Sequence, residues 1–194
     1  MERVFFIGYH KIATTSLHNL FRRSGYVSAH CLGGRLAKQI ENAVSNNKGS
    51  LLKGIEGWQV YSDMHFSDED RWIDANEYYK EIAEEFPRAY YILNTRPSRS
   101  WVRSRANHRE GEFIERAEKF YNLPRDIIYD LWRDRKNTVE AEMKHYFVGN
   151  PRFTVFDIDK DSIDKVVKHV SPEYKLDSKH WGVANRKKYN GVIE

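Results

Sequence analysis

Lys11, Thr14, Thr15 and Ser16 lie within the run Gly8-Tyr-His-Lys-Ile-Ala-Thr-Thr-Ser-Leu17. One mobile cation and three hydroxyls in so short a span suit the binding of a phosphate-like anion. The run follows the apolar stretch Val4–Gly8 and precedes a segment with helical spacing, in which Leu17, Leu20 and Phe21 share a face. A strand–loop–helix connection aims backbone N–H groups at one point, where the helix dipole also favours negative charge. The same residues suit an ordinary helix N-cap by Thr14 or Thr15. The nucleotide-hydrolase pattern G-x-x-x-x-G-K-[ST] is not met, because the lysine precedes Thr14 by three residues and no second glycine is present.

A second concentration of chemistry lies at Tyr91-Ile-Leu-Asn-Thr-Arg96-Pro-Ser-Arg-Ser-Trp101-Val-Arg-Ser104. Arg96 closes an apolar strand, Pro97 opens a helix, and Ser104 falls about two turns further on. A guanidinium fork binds phosphate in a bidentate way. Arg99, Arg103, Arg105 and Arg109 follow closely, and are expected on a solvated helix face.

The elements that must position these groups alternate between strand and helix. Strands are expected at Val4–Gly8, Tyr26–Ala29, Trp58–Ser62, Ala89–Asn94 and Phe153–Ile158. Helices are expected at Thr14–Arg23, Leu36–Ala43, Asp68–Phe86, from Ser98, through most of 110–147 with a break at Asn122-Leu-Pro124, and at Ser162–Val170. This alternation predicts a three-layer α/β fold on a mostly parallel sheet, with ligands at the carboxyl ends of the strands. The length of 194 residues suits one domain spanning 1–194.

Composition narrows the function classes. A 40% hydrophobic fraction supports a packed core, and a net charge of +4 suits an anionic ligand without demanding a nucleic acid. The one cysteine, Cys31, excludes an intramolecular disulfide and leaves a structural zinc site without a second thiolate. Asp157-Ile-Asp-Lys-Asp161 begins like a calcium loop but has Ser162 and Lys168 where glycine and glutamate are required. No metal is therefore expected. No run reaches the roughly 20 apolar residues of a membrane span, so a soluble, cytoplasmic protein is expected.

The order Lys11-x-Ala13-Thr14-Thr15-Ser16 resembles the 5′-phosphosulfate loop of sulfotransferases that use 3′-phosphoadenosine 5′-phosphosulfate (PAPS). Arg96 and Ser104, eight residues apart, resemble the 3′-phosphate clamp of that family. The run Thr-Arg-Pro-x-x-x-Trp-x-x-Ser, with Met143–Phe147 and Phe153–Ile158, is similar to a small soluble branch of it. The chain departs from the pattern at Ile12 and at Ala13, where glycine is commonest, so Ala13 calls for a loop of negative φ. The resemblance implies a P-loop-like sulfotransferase fold and PAPS as co-substrate, held by Lys11, Ile12, Ala13, Thr14, Thr15, Ser16, Arg96 and Ser104. It also implies a basic loop at Arg186 over the 3′-phosphate. Lys11 would serve the leaving oxygen.

The family's general base stands at the end of the third strand, where this chain carries Val60-Tyr-Ser-Asp63-Met-His65. His65 and Asp63 are both candidates, with His30 as a third. The implied acceptor is a small molecule or glycan offering a hydroxyl or amine, with neither nucleic acid nor membrane as partner. Two other readings stand beside this one: an ATP-dependent small-molecule kinase, and a nucleic-acid-binding module built on the arginines. The aromatic residues Trp58, Tyr61, Trp72, Tyr78 and Tyr79 suit either core or an acceptor pocket.

Overall fold

The structure is a computed structural model that describes residues 1–47 and 49–182. Five strands form a wholly parallel sheet: β1 (Val4–Phe6), β2 (Ser28–His30), β3 (Val60–Ser62), β6 (Tyr90–Thr95) and β7 (Phe153–Asp157), in the order β2-β3-β1-β6-β7. Two further strands, β4 (His65–Ser67) and β5 (Trp72–Asp74), pair as a separate antiparallel hairpin. The helices are α1 (Thr14–Arg23), α2 (Arg35–Asn46), α3 (Tyr79–Glu85), α4 (Ser98–Ala106), α5 (Glu112–Tyr121), α6 (Arg125–Tyr146) and α7 (Asp164–Val170).

The central strands β1, β3 and β6 are buried throughout and mostly apolar because helices cover both faces. Alternate side chains enter different cores. Phe5, Ile7, Tyr61, Tyr91 and Leu93 pack under α2 to α6, whereas Val4, Phe6, Val60, Tyr90 and Ile92 pack under α1 and α7. The expected three-layer α/β architecture is therefore present.

The connection order fixes the location of a ligand crevice. From β1 the chain moves to one side of it through β2 and β3, then crosses to the other through β6 and β7. Such a reversal opens a crevice at the strand carboxyl ends. The loops after β1, β3 and β6, which carry the candidate residues, all emerge on that rim.

One expected helix is corrected. Residues 68–86 are not a single helix: the first part turns at Asp68 into β5, and the helix α3 occupies only Tyr79–Glu85. The Asp68 carboxylate accepts hydrogen bonds from the N–H groups of Asp70 and Arg71, at 3.2 and 2.8 Å. This local turn competes with helix formation. The second strand lies at Ser28–His30, one to two residues later than expected. Tyr61 and Tyr79 are buried core residues.

Candidate functional site

The loop after β1 is built against β6. Gly8 donates its N–H to Asn94 Oδ1 at 3.0 Å, and Asn94 Nδ2 donates to the Ile12 carbonyl at 2.7 Å. One buried side chain thus ties both ends of the loop. A Cβ on Gly8 would stand 1.9 Å from the Asn94 carbonyl oxygen, so only glycine fits there. Trp101 Nε1 donates to the His10 carbonyl at 2.9 Å. The segment bearing Arg96 and Ser104 therefore also supports the phosphosulfate-like loop.

The loop's backbone corrects one expectation. Ala13 has φ 55°, ψ 20°, in the left-handed region, and Lys11 has φ 69°. A Cβ in this region costs on the order of 1–2 kcal/mol. Its carbonyl accepts the first bond of α1, from Leu17 N–H at 3.0 Å. Ala13 thus adopts the conformation that glycine would take more readily, and the strain falls at the mouth of α1. No side chain caps α1, so its first-turn N–H groups face the loop.

Thr14 and Ser16 are buried, and Thr15 is half-buried. Thr14 Oγ1 lies 3.4 Å from Asp63 Oδ2 and 3.2 Å from His30 Nε2, while Thr15 Oγ1 lies 3.3 Å from the same ring nitrogen. His30 Nε2 is 3.2 Å from Asp63 Oδ2. The structure thus brings the loop hydroxyls, Asp63 and His30 together. Asp63 closes β3 at φ 60°, which aspartate tolerates better than most residues. Lys11 Nζ lies 3.2 Å from His108 Nδ1.

Arg96 follows β6 directly. Its Nη2 sits 3.4 Å from each Asp159 oxygen, and its Nε is buried with no hydrogen-bond partner. The corner is held from beneath. Lys136 Nζ donates to the Arg96 carbonyl at 2.9 Å and pairs with Glu140 at 3.0 Å, and Glu140 accepts from Thr95 Oγ1. Burial lowers the Lys136 pKa, against the raising pull of Glu140. Ser104 is half-buried on α4. Arg186 lies outside the described residues.

His65 faces the same rim, deeper. Its Nδ1 is 2.7 Å from Asp74 Oδ1 and its Nε2 3.3 Å from Ser67 Oγ. Its ring stacks on that of His10, with centroids 4.2 Å apart. Asp74 also takes Arg105 at 2.9 Å. Burial alone would raise the Asp74 pKa, but Arg105 and His65 outweigh it and hold the carboxyl far below its usual range. His10 is buried, with neither ring nitrogen hydrogen-bonded. Burial, then the neighbouring His65 and Arg105, push its pKa well down.

Arg105 corrects the solvated-face expectation: it is 1% exposed and its guanidinium lies 4.7 to 6.0 Å from the ring centres of Trp132, Trp101, Trp72, Phe113 and Tyr9. Such cation–π contacts strengthen when desolvated. Arg99 and Arg103 are exposed on α4, as expected, and Arg109, also exposed, lies in the turn beyond that helix. The signal for Arg105 was its place four residues after Trp101, on the buried face of α4.

His10, His65 and Asp74 offer ligand atoms within 4.8 Å of one another. Arg105 already neutralises Asp74, and a cation placed there would meet that guanidinium at close range. The cluster is better suited to an ion-paired support than to a metal centre.

A cavity of about 340 Å³ opens between these groups, and its lining includes Asp63, His65, His108, Arg109, Phe113 and Arg116. A second, of about 250 Å³, is lined by residues that include Trp72, Glu77 and Arg135.

A parallel α/β sheet thus carries, on one rim, a helix N-terminus, a cluster of hydroxyls and cations, and an acid beside a small cavity. The chain belongs to the sulfotransferase domain family, whose model matches residues 3–178. Compared with curated proteins, the chain matches none. No helix among the described residues is long and apolar enough to cross a membrane.

Proposed function

We propose that the protein transfers a sulfuryl group from PAPS to a hydroxyl of a small-molecule or glycan acceptor, with Asp63 as general base. The observation that carries this reading is the coupling of the two motifs. Asn94 and Trp101 bind the Gly8–Ala13 loop to the segment bearing Arg96 and Ser104. A ligand with phosphates at both ends, 5′ and 3′, matches two such sites on neighbouring strands. The orphaned Nε of Arg96 and the N-terminus of α1 fit those anions.

Lys11 and the N–H groups at 13–16 would stabilise charge on the leaving oxygen. Loop hydroxyls from Thr14 and Thr15 orient the transferred group, and Asp63 accepts the acceptor proton. Asp63 is preferred over His65 because its carboxylate lies 3.4 Å from the Thr14 hydroxyl at the mouth of α1, whereas His65 meets the loop only by stacking on His10. His65 is committed to Asp74 and serves as a support. His30, 3.2 Å from Asp63, orients the carboxylate. Activity in the cytoplasm belongs to the same reading.

Labelled PAPS, screened against hydroxyl and amine compounds, tests it. Asp63→Asn is expected to lower turnover on the order of 10²- to 10⁴-fold with PAP (the desulfated donor) bound nearly as before. His65→Ala is expected to lower thermal stability first, by leaving buried Asp74 short of a partner. Full turnover in Asp63→Asn would assign the base elsewhere.

A further inference from the structure

Arg109 and Arg116 line the cavity that also contains Asp63. Neither makes an ion pair among the described residues; the one charged acid in the lining is Asp63, which faces His30 and Thr14. Arg116 gives Nη1 to the Ser67 carbonyl at 3.0 Å and to Ser67 Oγ at 3.4 Å, so the guanidinium is held against β4. The cavity wall also includes His65 and His108. Two permanent cations against one carboxylate make a net positive acceptor pocket, and a low-dielectric wall concentrates that field.

The backbone adds a second observation. Arg109 (φ 51°) and Glu110 (φ 59°) are consecutive left-handed residues without the excuse of glycine, followed by Gly111 at φ 101°. Strain of this kind persists only where the surroundings over-determine it. Here it turns the chain between α4 and α5 and carries Arg109 to the cavity.

We infer that the acceptor is a small hydroxylated anion: Arg109 and Arg116 bind its carboxylate, sulfate or phosphate, and Asp63 faces the hydroxyl to be sulfated. A volume of about 340 Å³ lies at the small end of small-molecule sites, which run to roughly 1,000 Å³. This inference rests on the proposed sulfuryl transfer. The acceptor oxygen forms a bond to sulfur while the bond from sulfur to the bridging phosphate oxygen breaks. The electron pair leaves with that oxygen on PAP, and the hydroxyl proton passes to Asp63.

The test pairs neutral and anionic congeners on the full chain: glucose with glucuronate, and glucose with glucose 6-phosphate, the two arms separating carboxylate from phosphate. Transfer from labelled PAPS is read as kcat/KM, and binding to the protein–PAP complex is read by calorimetry. The anionic member of at least one pair is expected to be preferred, and Arg109→Ala to reduce that preference on the order of 10- to 100-fold. Arg109→Lys should restore part of it, which a merely structural residue would not. Intact PAP binding with no preference for either anion in transfer and in binding overturns the inference alone. Failure to bind PAP overturns the reading beneath it, and the inference with it.

Discussion

Arg96 stands between two anions, one of its own fold and one it would bind. At 3.4 Å, Asp159 holds the guanidinium loosely, and the Nε that faces inward has no partner. A phosphate reaching this corner would exchange a weak, partly exposed ion pair for charge-assisted hydrogen bonds. Arg96→Ala is therefore expected to weaken PAP binding by about 1.5–3 kcal/mol, measured by calorimetry. Wild-type affinity in this variant would move the clamp elsewhere. The residue types of the loop and of Arg96 were readable in the sequence because each sits in a local pattern of strand, turn and helix. Arg105 was not readable in the same way. Its burial depends on Asp74, 31 positions away, and on rings from α5 and α6. A local charge count places such an arginine in water.

At the scale of elements, Asn94 is the joint between β1 and β6. It satisfies Gly8 N–H and the Ile12 carbonyl within the interior. Asn94→Ala leaves both buried groups unpaired, at about 1–3 kcal/mol each. The expected result is a clearly lower Tm together with weaker PAP binding, since the loop loses both anchors. A lower Tm with unchanged PAP affinity would separate the loop from the ligand. The parallel strands were legible from their apolar runs, because burial on both faces leaves no alternation to misread. The β4–β5 hairpin was hidden by a run of acids that favours a helix start as readily as an Asp68 turn. Ala13 escaped for a different reason: nothing in its type discloses a left-handed φ, which the loop imposes through its closure onto α1.

At the scale of the whole molecule, buried titratable groups make stability depend on pH. Burial holds the His10 pKa well below its ordinary value, and burial together with His30 lowers that of His18 to about 4. Folded His10 and His18 thus bind fewer protons than the unfolded chain below the ordinary histidine pKa of ~6.5. Stability must then fall as pH drops through that value. Asp74 acts lower: its depressed pKa contributes stability above ~3.9 that is lost only in stronger acid. The Tm is expected to decline between pH 7.5 and 5.5, and to decline less in His10→Asn. An equal decline in both would remove His10 as a source.

The central claim is that one donor with phosphates at both ends spans the β1 loop and the β6 corner. Thermal unfolding with PAP, and separately with ATP, tests it most directly. A ligand bound only by the folded state raises Tm by mass action, about 2.7 kcal/mol at a hundred times Kd. ATP carries a 5′ chain but no 3′-phosphate, so Arg96 and Ser104 have nothing to hold. The account predicts a large upward shift with PAP and a small one with ATP at equal concentration. Equal shifts, or a larger one with ATP, would contradict it.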